Sequence, residues 1–314
     1  AKYGILTELL PPEKLVIANG WIEGLTVASI VLGTVLGGVL ITPAVANILM
    51  IVDIPYVDTG IDNALESGIL IIAVVYSIAA LFNLYIPNTG VDHRIPKKNP
   101  FYLFHEFSHC VKLLWTDRLG QISLAVTTLF WGAGATLQFI VLKWAEVAMD
   151  FPLNQAAQLQ GVVAVGIAVG AVMAARWVSL RQSVKVIPLG IAMGIVVMTM
   201  TLVTNIWIAI TLLMIIGGLA GFFVVPMNAL LQHRGHILMG AGHSIAVQNF
   251  NENLSILAML SIYALLILFE VHIYSVIVAF GLFVSIMMTL IRRWHFLNQS
   301  KEDSLHLIGA KKLH

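Results

Sequence analysis

Residues 206–231, IWIAITLLMIIGGLAGFFVVPMNALL, run without a single charged side chain. A helix built from them has no water-facing stripe, and at about 20 residues per crossing the run is long enough to span a bilayer. Seven more apolar stretches can be placed at 15–41, 68–86, 122–144, 156–178, 184–203, 240–269 and 273–291. The 314 residues are 59% hydrophobic and 11% charged, with 25 glycines and a mean hydropathy of +0.92, far beyond what one soluble core needs. The expected class is an all-α integral membrane protein that crosses the bilayer many times.

Eight crossings return the chain to its starting side, so the connecting segments form two sets whose charges can be compared. Lys2, Lys14, Arg94, Lys97, Lys98, Lys112, Arg118, Arg176, Arg181, Lys185, Arg234, Arg292, Arg293, Lys301, Lys311 and Lys312 fall in one set. The other holds Lys143 as its sole basic residue, together with Asp53, Asp58, Asp62, Glu66, Glu146, Asp150 and Glu270. The positive-inside rule therefore puts both termini and the 87–121 loop in the cytoplasm. Trp144, Trp177, Trp207 and Trp294 lie near predicted helix ends and are expected as interfacial anchors. The single Cys110 cannot form an internal disulfide.

A short repeat adds a second constraint. Bringing position 18 onto 247 aligns ANGWIEGLTV with VQNFNENLSI, so that Asn19 meets Gln248, Glu23 meets Glu252 and Thr26 meets Ser255. The polar positions recur at i, i+4 and i+7, so in both copies they share one helix face. Both copies run in the same direction across the membrane, as in the parallel six-helix halves of certain transporters. Six stretches lie between residues 122 and 291, the repeat-bearing one fifth, whereas only two precede the 87–121 loop. The expected organisation follows. Residues 1–86 are the remnant of an N-terminal half, comprising the end of helix 4 and helices 5 and 6. Residues 87–121 are a loop with an amphipathic helix, 122–291 are a complete C-terminal half with helices 7 to 12, and 292–314 are a cytoplasmic tail. About 8 of 12 crossings are then present, and the sequence reads as N-terminally truncated. In the loop, Phe104, Phe107, Val111 and Leu114 fall on one side of a helix and His105, His109 and Lys112 on another, a pattern suited to the membrane surface.

A charged side chain at a helix centre costs about 2.5–3.5 kcal/mol on insertion scales, so Glu23 and Glu252 need a partner or a purpose. Glu252 lies twelve residues past the predicted start of its helix, roughly 18 Å deep at about 1.5 Å per residue. One reading places both carboxylates in a polar cavity between the halves; the other makes them a structural polar pair that sets helix register. In FFVVPMNALLQHRG, Asn228 and Gln232 are i, i+4 and either point into that cavity or accompany a kink at Pro226. Small-residue spacings at Gly33 with Gly37, Gly166 with Gly170, and Gly217 with Gly221 allow close helix approach.

HEFSH, residues 105–109, fits HExxH, which on a helix can set two imidazoles on zinc with Glu106 as general base. Catalytic zinc needs a third protein ligand, and no partner motif is recognisable. There is no GxxxxGK[ST] loop, no cofactor is expected, and the dispersed basic residues suit topology and anionic lipid rather than nucleic acid.

AKYGIL, ANGWIEG, LGGVL, TLFWGAGATLQF, GFFVVPMNALLQHRG and GAGHSIAVQNFNEN, in this order, resemble the bacterial lysophospholipid transporters of the major facilitator superfamily. The resemblance implies that fold, and no enzyme activity. It implies flipping of lysophosphatidylethanolamine-type lipids across the bacterial inner membrane toward the cytoplasmic leaflet. A separate acyltransferase and acyl-carrier-protein synthetase would restore the missing acyl chain there. It also implies a basic residue, able to meet the lipid phosphate, where this chain has Gln138. The expected substrate contacts are Glu23 and Glu252, with Asn19, Gln138, Asn228, Gln248, Asn249 and Asn253 as hydrogen-bonding neighbours. The alternatives are a proton-coupled exporter of small amphiphiles and, more remotely, a membrane zinc protease using HEFSH.

Overall fold

The computed structural model describes residues 2–40, 45, 64–86, 100–301 and 308, and every regular element among them is helical. The chain divides into two units, one of residues 28–92 and one of residues 1–27 with 93–314. Asp53, Asp58, Asp62, Arg94, Lys97 and Lys98 lie outside the described residues.

The first unit contains the second half of α2 (Leu15–Leu40) and α3 (Ala64–Phe82), which tightens into a 3-10 turn at Asn83–Tyr85. Along α3 the apolar side chains from Ile69 to Phe82 are nearly all turned outward, as lipid contact requires.

The second unit holds α1 (Lys2–Leu9), the first half of α2, α4 (Pro100–Thr116), α5 (Gly120–Met149), α6 (Leu153–Trp177), α7 (Ile187–Met198), α8 (Ile206–Met239), α9 (Ala241–Leu268) and α10 (Ile273–Lys301). Helix α8 is central, packing on α5, α6, α7 and α9; α9 lies along α5, and α10 lies along α7 and α5. Seven of the described helical stretches are long and apolar enough to cross a membrane, and α2 covers the first predicted crossing.

The departures from expectation are at helix ends. Helix α8 continues past Leu231 to Met239, because Gln232, His233 and Arg234 are buried among neighbours instead of marking an aqueous boundary. Helix α10 likewise runs past Ile291 to Lys301. In the 184–203 stretch, only Ile187–Met198 is α-helical, flanked by 3-10 turns at Leu180–Val186 and Thr199–Leu202. Pro226 sits inside α8 without ending it. The α8–α9 junction turns at Gly240, whose φ of 83° is a backbone that side-chain-bearing residues seldom adopt.

The seam between α6 and α8 is built from glycine. Gly166 and Gly170 face Gly217 and Gly218, Gly221 faces Ile167 and Ala171, and a methyl group added at Gly166, Gly170, Gly217 or Gly221 would enter the opposing backbone. Gly33 faces open space.

Two expectations need correction. Trp144 is fully buried, not interfacial, and its indole donates a 3.0 Å hydrogen bond to the Met200 carbonyl, tying α5 to the turn after α7. Trp177 and Trp207 are exposed, as anchors should be. Helix α4 does not lie free on its apolar side. Cys110 and Leu114 pack with Leu124, Leu231 and Val247, flanked by Phe107, Val111 and Trp115, so the helix closes over the ends of α5, α8 and α9. Phe107 meets Phe250 edge-on at 5.3 Å, Trp115 stacks on Trp294 at 6.4 Å and donates to Asn251 Oδ1 at 3.3 Å. Phe104 alone of the predicted apolar side points away, at 75% exposure.

Burial, reinforced by the Glu106 carboxylate, pushes the Cys110 thiol above its ordinary pKa. The thiolate then forms only at higher pH, so maleimide labelling of the folded protein at neutral pH is expected to be much slower than after denaturation. Mass spectrometry of Cys110 before and after unfolding measures this, and equal rates would contradict the packing of α4.

Candidate functional site

Inside the second unit, polar side chains from three helices converge. Asn19 and Glu23 of α2, Asn228 and Gln232 of α8, and Gln248 and Glu252 of α9 are all buried. Helical spacing explains why each helix supplies two: 19 and 23, 228 and 232, and 248 and 252 are each i, i+4, one above the other on one face.

Asn19 and Gln232 form a reciprocal amide pair. Asn19 Nδ2 donates to Gln232 Oε1 at 2.9 Å, and Gln232 Nε2 donates to Asn19 Oδ1 at 2.9 Å. Asn19 Nδ2 also reaches the Leu15 carbonyl at 2.8 Å. On the other flank, Gln248 Nε2 donates to Glu252 Oε1 at 2.7 Å and to Asn228 Oδ1 at 3.5 Å. Glu23 and Glu252 are both buried carboxyl groups on the inward faces of their helices. The cluster therefore offers carboxylates and carboxamides within a core of Leu, Ile, Val and Phe. Such a site can bind a cation or a hydrogen-bonding headgroup, and low dielectric strengthens whatever it binds.

The structure does not bring every expected residue here. Gln138 is exposed, and its backbone carbonyl accepts from Gln160 Nε2 at 3.2 Å. Asn249 and Asn253 are exposed, Asn253 Nδ2 bonding back to the Asn249 carbonyl at 2.7 Å. The run QNFNEN is polar around more than one face of α9, and only positions 248 and 252 point inward. Asn251, between them, turns instead to Trp115. Gln232 was legible as the i+4 companion of Asn228, but its partner Asn19 lies 213 residues away.

One ion pair carried no sequence signal. Arg234, at the end of α8, grips Asp117 in the α4–α5 turn, Nη2 to Oδ1 at 2.6 Å and Nε to Oδ2 at 3.0 Å. Asp117 Oδ2 also accepts from the Gly120 backbone N–H at 2.8 Å, holding the first turn of α5.

In HEFSH, His105 and His109 are exposed, and Glu106 Oε1 lies 3.7 Å from His243 Nε2 of α9, an ion pair when that imidazole is protonated. No group of three or more His, Cys, Asp or Glu side chains able to hold a metal gathers among the described residues.

The bundle buries a shared polar face, and the sequence comparison decides the family. The family model described as Major Facilitator Superfamily matches residues 1–251. The chain belongs to the major facilitator superfamily. Within this superfamily it is 42% identical over 266 residues to a protein of Serratia proteamaculans (strain 568) named lysophospholipid transporter LplT, covering 84% of this chain and 62% of that one. It is 41% identical over 268 residues to proteins of the same name from Yersinia pestis (strain Pestoides F) and Yersinia pseudotuberculosis serotype O:3 (strain YPIII), covering 85% of this chain and 61% of each. The chain thus spans about three fifths of the length of the curated relatives it matches. Among solved structures it is similar to a bacterial homologue of the iron transporter ferroportin in an outward-facing state. The TM-score is 0.60 at 14% identity, covering 95% of this chain and 67% of the other, a likeness of fold alone. The membrane-spanning fold expected of the sequence is the fold of this superfamily.

Proposed function

We propose that this chain serves a lysophospholipid transporter, moving lysophosphatidylethanolamine-type lipids across the bacterial inner membrane to the cytoplasmic leaflet, where a separate acyltransferase and acyl-carrier-protein synthetase reacylates them. It is a transporter and not an enzyme. Both termini of the chain face the cytoplasm on this reading, the side its basic residues favour.

The observation that carries the reading is the buried cluster of Glu23, Glu252, Asn19, Asn228, Gln232 and Gln248 in an apolar bundle. A single-chain lipid needs a polar place for its headgroup while its tail stays in hydrocarbon. Carboxylates suit an ammonium, and the carboxamides can donate to phosphate and glycerol oxygens. The names of the relatives supply the substrate class.

The test is uptake of lysophosphatidylethanolamine by spheroplasts carrying the full-length protein with Glu252→Gln or Glu23→Gln. A charged hydrogen bond is worth about 1.5–3 kcal/mol, so losing one should cost roughly tenfold or more in uptake. Unchanged uptake in both variants would overturn these roles.

The burial of two carboxyl groups in membrane-spanning helices also favours a second reading, a proton-coupled exporter of small amphiphiles in which Glu23 and Glu252 titrate. Collapse of the proton gradient separates the two: it abolishes coupled export and leaves facilitated lysolipid movement intact.

A further inference from the structure

The end of the bundle opposite Arg234 carries a groove that the polar cluster does not use. Its volume is about 500 Å³, and its floor is apolar, formed by Phe139 and Leu142 of α5, Phe151 and Pro152 of the α5–α6 turn, and Ala156 of α6, with Tyr263 of α9 on its wall. Two charges face it, Lys143 and Glu146. Lys143 Nζ lies 3.0 Å from both carboxylate oxygens of Glu146, and the two side chains keep 43% and 60% of their exposure.

The groove lies on the seam that leads to the polar cluster. On α9, positions 252, 255, 259 and 263 share one face, so Glu252 and Tyr263 are about 16 Å apart along the helix on the same side. On α5, positions 132, 136, 139 and 143 do the same. The two faces meet: Gly132 lets α5 press against Ser255 and Met259, and the rings of Phe139 and Tyr263 pack at 6.2 Å, the Tyr263 hydroxyl donating to the Phe139 carbonyl at 3.3 Å.

We propose that this groove recognises the phosphoethanolamine headgroup of a single-chain phospholipid, Lys143 taking the phosphate and Glu146 the ammonium. The inference rests on the lysolipid reading above and adds a second contact site at the far end of the same seam. A cation and an anion side by side over an apolar floor complement a zwitterion whose own charges are separated by a short linker. Trading the protein pair for two ligand pairs loses little, because an exposed i, i+3 ion pair is screened by water and contributes little. The glycerol and first methylenes of the lipid would cover Phe139 and Leu142, while the remaining tail stays in the bilayer.

The test reconstitutes the full-length protein in proteoliposomes and compares lysophosphatidylethanolamine with lysophosphatidylglycerol, which has the phosphate but no ammonium. Glu146→Gln is expected to lower uptake of the ethanolamine lipid roughly tenfold and leave the glycerol lipid unchanged, whereas Lys143→Gln lowers both. Lys143→Arg and Glu146→Asp should retain the unsubstituted preference. All four variants should melt with the unsubstituted protein, since the pair is exposed. Unchanged uptake of both lipids in Lys143→Gln, or an unaltered preference between them in Glu146→Gln, overturns the inference. A failure of the unsubstituted protein to move either lysolipid overturns the function proposed above instead. Soluble glycerophosphoethanolamine is expected not to compete; competition at the lipid's own concentration would assign the groove to a water-soluble phosphoethanolamine compound and overturn the lipid assignment.

Discussion

Asp117→Ala is expected to destabilise the protein by about 3–5 kcal/mol, the cost of removing one partner from a buried ion pair. The Arg234 side chain is 5% exposed and that of Asp117 is 10% exposed, so neither charge left alone can be rehydrated without opening the packing of α4 against α8. Asp117 also accepts from the Gly120 N–H at the start of α5, so its loss frees that donor as well. Asp117→Asn keeps an acceptor for Gly120 and should fall between. The double variant Asp117→Leu with Arg234→Met removes both charges and is expected to recover much of the loss, since an apolar pair of similar volume is often as stable as a buried ion pair. Thermal unfolding in detergent, followed by tryptophan fluorescence, measures all four. A single alanine variant as stable as the parent would show that the pair is not buried as described.

Gly170→Ala and Gly221→Ala are the second large effect. A methyl group at Gly170 would come within 2.8 Å of the Phe222 backbone nitrogen, and one at Gly221 within 2.9 Å of the Ala171 nitrogen. Backbone cannot swing aside as a flexible side chain can, so α6 and α8 must separate. Overpacking of this kind costs about 1–3 kcal/mol and more where the whole seam opens. Gly134 and Gly161 provide the internal control, because nothing lies within 4 Å of a methyl group added at either. There alanine should stabilise by about 0.5–1 kcal/mol through backbone entropy alone. Similar melting shifts for all four substitutions would contradict the close approach of the two helices.

Much of the bundle was legible because a membrane helix is a local object. A run of about 20 apolar residues either spans or does not, and the 3.6-residue period says which side chains within it share a face. That is why the apolar stretches coincide with observed helices, and why Glu23 and Glu252 could be paired with the neighbours one turn before them. Helix ends were harder, since burial of Gln232, His233 and Arg234 depends on what surrounds them.

Partner choice was not legible. Asn19 meeting Gln232, Arg234 meeting Asp117 and Asn251 meeting Trp115 each join positions more than 100 residues apart, and the register at which helices cross selects them. The same register sorted the polar run of α9, sending Gln248 and Glu252 inward and leaving Asn249 and Asn253 outside. By itself the sequence determined that the chain is a bundle of membrane helices carrying two matching polar faces, because hydropathy and periodicity are properties of neighbours along the chain. Only the tertiary structure decided which of those polar groups converge, since convergence is set by the register at which α2 and α9 pack on α8, which no local pattern encodes.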